Sequence, residues 1–141
     1  MCYNLVRVME LIILQEARKE LLLRACSGRP AQGYLLGRQT GPGLFVEKVI
    51  YLSWPELLKA ETFFRVEQNR GLDILGVFSL DSSPVTMKRV LRPLLAGKVF
   101  LSLAVGARGE IKPRARMIEF DRKFCFRPLR RIILEMEGPD D

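Results

Sequence analysis

The chain has 141 residues and a formal net charge of +7, and 48% of its residues are hydrophobic. It contains no histidine, which excludes histidine metal ligands, histidine general bases and histidine pH switches. Its three cysteines, Cys2, Cys26 and Cys125, lie far apart without a Cys-x-x-Cys spacing. The sequence therefore predicts neither a zinc knuckle nor a disulfide framework, and it is typical of a protein from a reducing cytoplasm.

The length is that of one domain with a single hydrophobic core, so we expect residues 1–141 to fold as a unit. The N-terminal residues have no basic segment ahead of an apolar run, as a signal peptide has. No uncharged apolar stretch approaches the roughly twenty residues that a membrane span requires. We expect a soluble, cytoplasmic protein.

The first predicted elements are a helix and a hairpin. Apolar residues recur at helical spacing over Leu11–Cys26, which predicts a helix. Two strands are predicted over Gln32–Arg38 and Leu44–Leu52, because both segments are rich in branched and aromatic residues. The turn cluster Gln39–Gly43 separates them, so they are expected to pair antiparallel.

The second helix has the clearest start signal in the chain. Ser53–Glu56 has the form of a capping box with a proline in the first turn, and Gly71 is expected to end the helix. The spacing from this start predicts that Phe64 faces inward and Phe63 outward. Trp54 and Phe63 are therefore candidate interaction residues, since aromatic side chains dominate interface energetics; the alternative is that both belong to the core.

The remaining elements complete a mixed α+β order. Leu72–Phe78 predicts a buried central strand, and a third helix is expected from Ser83. A second hairpin is predicted from Lys98–Val105 and Glu110–Phe120. For Phe124–Leu134 the pattern leaves a strand and a short helix open. The expected fold class is α+β, a single-domain mixed β-sheet flanked by helices.

The order of these segments resembles the JAB/MPN domain, the fold of the JAMM metallo-isopeptidases. The resemblance rests on the strand Gln32–Gly37, the capped second helix, and the strand Ile74–Asp81 followed by Ser-Ser-Pro-Val-Thr. It covers residues 5–120 and leaves 121–141 as a basic strand or helix with an acidic tail. It implies a JAB/MPN-like, cytidine deaminase-like architecture.

In the family, active members hold zinc through two histidines, one aspartate and a water molecule, while a glutamate takes the proton of that water. The resemblance places Pro30 at the glutamate position. It places Ser79 and Asp81 at the two histidine positions. Neither a serine hydroxyl nor a proline side chain performs the role assigned to that position.

The position of the family's Ser-x-x-Asp pair depends on the alignment. Without a gap the pair corresponds to Arg89 and Arg92, and with a three-residue deletion it corresponds to Thr86 and Arg89. In either case an arginine replaces the aspartate, and its charge repels a metal cation. The surface groove that holds zinc in active members then offers Arg89 or Arg92 as a receptor for a carboxylate.

These replacements predict a pseudoenzyme: a basic protein with no zinc, no other cofactor and no peptidase activity. What the resemblance implies for such a member is a role as a protein-interaction or scaffold module. The expected partner is a protein, either a second copy of this chain in a homodimer or another JAB/MPN domain. No membrane partner is expected.

The alternative function is nucleic-acid binding by the basic C-terminal half, from Lys88 to Arg131. Lysine and arginine are concentrated there, and Phe124 or Phe126 offers a ring for stacking on unpaired bases. A simpler explanation is that these cations cover the solvated faces of strands. The candidate polyanion contacts are Arg114, Arg116, Arg122, Lys123, Arg127, Arg130 and Arg131.

Overall fold

The computed structural model describes residues 9–81, 83–105, 108, 110–129 and 131–134. Within them the chain forms eight strands and four α-helices. The strands are Glu10–Ile13 (β1), Gln32–Thr40 (β2), Gly43–Tyr51 (β3), Asp73–Ser79 (β4), Val99–Val105 (β5), Ile111–Asp121 (β6), Lys123–Pro128 (β7) and Arg131–Leu134 (β8). The helices are Gln15–Cys26 (α1), Trp54–Leu57 (α2), Ala60–Arg70 (α3) and Pro84–Arg89 (α4), and a 3-10 turn covers Pro93–Leu95.

All eight strands belong to one curled, mixed sheet with the order β7-β6-β5-β4-β2-β3-β1-β8. The pairs β2–β3, β2–β4, β5–β6 and β6–β7 are antiparallel, whereas β1–β3, β1–β8 and β4–β5 are parallel. The chain is therefore a single mixed α+β domain. Both predicted hairpins and the predicted central strand are confirmed.

Helices cover the two faces of this sheet, and each face carries its own core cluster. On one face, Ala17 and Leu21 of α1 pack among sheet residues such as Leu35. On the other, which we call the helical face, Leu57 of α2 and Phe63 of α3 pack among residues such as Tyr34 and Val77. No helix in the described part of the chain is long and apolar enough to cross a membrane.

The helix predicted over Leu11–Cys26 is wrong at its start. Glu10–Ile13 is strand β1, and α1 begins only at Gln15. Leu11 and Ile13 are fully buried, with alternate residues facing the core as strand geometry requires. The short apolar run fits either period, and parallel pairing with β3 and β8 decides in favour of the strand.

The capped start of the second predicted helix is confirmed, but its acidic residue has different partners. The Ser53 hydroxyl oxygen accepts a hydrogen bond from the Glu56 backbone N–H at 3.3 Å. Among the described residues, the Glu56 carboxylate does not accept a hydrogen bond from the Ser53 backbone N–H, as it would in a capping box. It accepts from the Thr62 hydroxyl at 3.0 Å and from Lys59 Nζ at 3.3 Å, and so ties α2 to α3.

The prediction that Phe63 faces outward and Phe64 inward is wrong. Phe63 is 5% exposed and Phe64 is 55% exposed. The helix predicted as continuous breaks after Leu57 and resumes at Ala60, so the periodicity counted from the first turn does not carry into α3. Phe63 is therefore a core residue and is excluded as a surface anchor, while Gly71 ends α3 in the left-handed conformation as expected.

The undecided C-terminal segment forms two strands at opposite edges of the sheet. β7 pairs antiparallel with β6, and β8 pairs in parallel with β1. The acidic tail, residues 135–141, lies outside the described residues.

Candidate functional site

The end of β4 meets the segment that precedes β2, which is where the resemblance places the family's catalytic groups. Ser79, the last residue of β4, pairs with Gln32 on β2. The Leu80 N–H donates to the Ala31 carbonyl oxygen at 3.0 Å, and Pro30 precedes Ala31 directly. Segments that are far apart in sequence therefore converge at one end of the central strands.

Helix α4 adds its first turn to this junction through a hydroxyl–carboxylate cluster, which we define as Ser79, Asp81, Ser83 and Thr86. The Thr86 hydroxyl donates to Asp81 Oδ2 at 2.7 Å, and the Ser83 N–H donates to Asp81 Oδ1 at 2.9 Å. The Asp81 N–H donates to Ser79 Oγ at 3.0 Å. Ser83 also caps α4, since its hydroxyl oxygen accepts from the Thr86 N–H at 3.3 Å. The predicted start of the third helix is thus confirmed.

The cluster joins buried hydroxyls to an exposed carboxylate. Ser79 and Thr86 are buried, whereas Asp81 is exposed. Hydrogen bonds from the Thr86 hydroxyl and from Ser83 lower the pKa of Asp81 from its ordinary value of 3.8, and the charge of Arg89 lowers it further. Asp81 is therefore an ionised acceptor at neutral pH.

Replacing Asp81 with alanine is expected to destabilise the fold by about 1 kcal/mol at neutral pH, a small value because the carboxylate is exposed. Because folding lowers this pKa, the carboxylate stabilises the fold fully above 3.8 and loses this effect as the pH falls through the lower folded-state value. At low pH the free energies of unfolding of wild type and Asp81→Ala are therefore expected to converge. Urea denaturation of both proteins, well above and well below that pH, measures this. Asp73→Ala, at the start of β4, is the control. If its free energy of unfolding depends on pH in the same way as that of Asp81→Ala, the assignment is contradicted.

Of the two residue pairs that the resemblance offers for the Ser-x-x-Asp motif, Thr86 and Arg89 is the pair that interacts with Asp81. Thr86 bonds to Asp81 directly, and the charge of Arg89, one helical turn further, acts on the same carboxylate. The Arg89 guanidinium also lies over the ring of the half-buried Trp54, 5.4 Å from its centroid. Arg92 lies beyond the end of α4, and its Nε donates to the Arg89 carbonyl at 3.2 Å.

The residues at this junction do not fit zinc. They supply hydroxyls and one carboxylate, whose oxygens already accept hydrogen bonds from Thr86 and Ser83, and the positive charge of Arg89 acts on that carboxylate. Hydroxyl groups are poor zinc ligands. Across the described ranges, no group of three or more His, Cys, Asp and Glu side chains is placed to hold a metal ion.

The strand register extends the site by Ser102 and Gln32, which the sequence analysis did not identify as site residues, and by Arg114, which it named only as a polyanion contact. Ser79 pairs with Ser102 on β5, and Ser102 pairs with Arg114 on β6. With Gln32 they form a polar row across four adjacent strands on the helical face. Ser102 is 7% exposed, and Gln32 Nε2 donates to the Leu52 carbonyl at 2.6 Å. The sequence feature that could have identified Ser102 is its position as a serine inside the apolar run Val99–Val105.

The candidate polyanion contacts separate into groups. Most lie on the β6–β7 hairpin, where Arg127 is paired with Glu119 at 2.7 Å. Arg131 belongs to β8 at the other edge of the sheet, and Arg130 lies outside the described residues. The candidate polyanion contacts on this hairpin are Arg114, Arg116, Arg122, Lys123 and Arg127.

A pocket of about 520 Å³ lies on the opposite side of the sheet, beside the C-terminal end of α1. The Arg24 guanidinium stacks over the Tyr51 ring at 4.1 Å from its centroid, and the exposed Arg29 also lines the pocket. Burial, with a contribution from the charge of Glu20, raises the pKa of Tyr51, so its phenol is neutral at physiological pH. None of the predicted site residues lines this pocket.

No family model matches the chain, and no curated protein matches it. Among solved structures, the chain is similar to the solution structure of protein DSY2949 from Desulfitobacterium hafniense, with a TM-score of 0.62 and 18% sequence identity. The match covers 90% of this chain and 94% of that chain. At this identity the likeness concerns the fold alone.

Proposed function

We propose that the chain is a catalytically inactive JAB/MPN-like domain that acts as a protein-interaction or scaffold module. The observation that carries this proposal is the convergence of Pro30, Ser79, Asp81 and Thr86 at one end of the sheet. These are the positions that the resemblance assigns to the catalytic set, and a hydrogen-bonded carboxylate beside a guanidinium stands there in place of zinc ligands.

The inactivity follows from residue chemistry. The chain contains no histidine, and Pro30 has no side-chain proton acceptor at the position of the general base. Arg89 places a fixed positive charge where the resemblance expects an aspartate ligand. The domain therefore performs no zinc-dependent isopeptidase chemistry and needs no cofactor. From the cysteine spacing we place it in the cytoplasm.

The interaction surface we propose is the outer side of the helices on the helical face. Val85 on α4 is 62% exposed and Phe64 on α3 is 55% exposed, while Trp54 is half-buried beneath Arg89. The Trp54–Arg89 pair supplies residue types that dominate binding energy at interfaces, and Val85 and Phe64 add exposed apolar area on the same face. The partner we propose is a second copy of this chain or another domain of the same fold.

Two measurements test this function. The purified chain is expected to retain no zinc after dialysis and to leave isopeptide-linked ubiquitin intact; stoichiometric zinc, or cleavage that a chelator abolishes, overturns the inactive assignment.

In sedimentation velocity the chain is expected to form a dimer that Val85→Glu weakens at least about tenfold. Leu23→Glu, which changes an exposed leucine on α1, is the matched control. A monomer at all concentrations contradicts pairing with a second copy.

A further inference from the structure

Alternate residues of β6 share one face with alternate residues of β7. Ile118 packs into the core cluster of the helical face, so the other even-numbered residues of β6 point to that side as well. On β7, Phe124 pairs with Phe120, and Phe126 pairs with Ile118. We name the resulting surface the basic–aromatic face; its members are Lys112, Arg114, Arg116, Phe120, Phe124 and Phe126.

The rings of this face are partly open to solvent. Phe120 is 59% exposed, and its ring centroid lies 4.9 Å from that of Phe124 in an edge-to-face arrangement. The Arg116 guanidinium lies 5.8 Å from the centroid of the Phe126 ring. The face therefore offers an exposed ring and a guanidinium already held against an aromatic surface, and both groups stack on planar bases.

Within the part of the chain that the structure describes, few carboxylates oppose the cations of this face. At one end, Lys112 Nζ lies 3.9 Å from Glu110 Oε2. Glu119 points to the opposite face, where its carboxylate pairs with the Arg127 guanidinium. Arg114 forms no ion pair with the described residues. At the other end, the β6–β7 turn adds the exposed Arg122 and Lys123.

We propose that the basic–aromatic face binds single-stranded nucleic acid, a function beyond the protein-interaction role and independent of it. Cations attract the phosphates, and the exposed ring stacks on an unpaired base. In a duplex the bases are paired, so the exposed ring has no base on which to stack. An acidic protein contacts the cations but gives the ring no planar base. From Lys112 to Phe120 the strand spans roughly 26 Å, which is long enough for a site of about four nucleotides.

Fluorescence anisotropy of a labelled oligodeoxythymidine with the full chain tests the proposal. Binding is expected at low salt, with a steep decrease as salt rises. Phe120→Ala is expected to weaken it about tenfold by removing one stacked base. Arg114→Ala is expected to weaken it and to reduce the salt slope by about 0.7. Both positions are exposed, and circular dichroism verifies that the variants are folded.

Arg29→Ala is the matched control, because it removes an exposed cation on the α1 side of the sheet; it is expected to leave the affinity unchanged. A duplex of equal length and a polyglutamate competitor are expected to bind more weakly than the single strand. The proposal is overturned by the absence of binding at low salt, by equal loss in the Arg29 and Phe120 variants, or by a duplex or polyglutamate that binds as well as the single strand.

Discussion

A chain that carries Ser79→His, Asp81→His and Arg89→Asp together is expected to bind about one zinc ion that survives dialysis. These changes restore two imidazoles and one carboxylate at the positions where the resemblance places the family's ligands. The wild-type contacts support the placement, because Thr86 bonds to Asp81 and the charge of Arg89 acts on the Asp81 carboxylate. Pro30 is left unchanged, so the test concerns metal binding alone.

Metal analysis after dialysis measures the result, and circular dichroism verifies folding, since Ser79 is only 2% exposed and histidine is larger. The matched control keeps both histidines and carries Arg92→Asp in place of Arg89→Asp. It is expected to retain less zinc, because Arg92 lies beyond α4 and bonds to the Arg89 carbonyl. A folded triple variant without zinc, or equal retention in the control, contradicts the assignment of these positions.

Replacing Gly33 with alanine is expected to destabilise the fold severely. Gly33 lies on β2 between β3 and β4, and an added Cβ would overlap the Ile50 carbonyl oxygen while lying 3.0 Å from the Phe78 ring. The obstacle is backbone of a paired strand, which has little freedom to move. We expect a cost of about 3 kcal/mol or more, a large part of the roughly 5–15 kcal/mol that stabilises a typical domain.

The matched control is Gly41→Ala in the β2–β3 turn. Gly41 has φ +60°, and an added Cβ would have no neighbouring heavy atom within 4 Å. Alanine there is therefore expected to cost only the left-handed backbone strain of about 1–2 kcal/mol. Soluble yield and urea denaturation measure both variants. A folded Gly33→Ala protein that is at least as stable as Gly41→Ala would show that β2 and β3 do not approach this closely.

The close approach at Gly33 also gives a physical reason for part of the resemblance. Gly33 and Gly37 both lie on β2, four residues apart, and a Cβ at either position would meet a carbonyl oxygen of β3. Gly76 on β4 faces the same obstacle from Val99 of β5. The glycine pattern on which the resemblance rests therefore reflects tight strand packing, a requirement of the sheet that is separate from catalysis.

Much of this protein follows from local sequence. Ser53 and Ser83 cap their helices with their own hydroxyls, and Gly71 ends α3 because glycine tolerates the left-handed conformation. The hairpins follow from apolar runs joined by turn residues. The composition also determines what chemistry is missing, since a chain without histidine cannot supply imidazole ligands in any fold.

The tertiary structure decided what depends on distant partners. The run at Leu11 became a strand because β3 and β8 pair with it. Phe63 entered the core because the helix breaks before Ala60. Ser102 joined Ser79, and Arg114 joined Ser102, through strand register alone. The periodicity of a segment states which of its residues share a face, but only pairing with other segments states what that face meets.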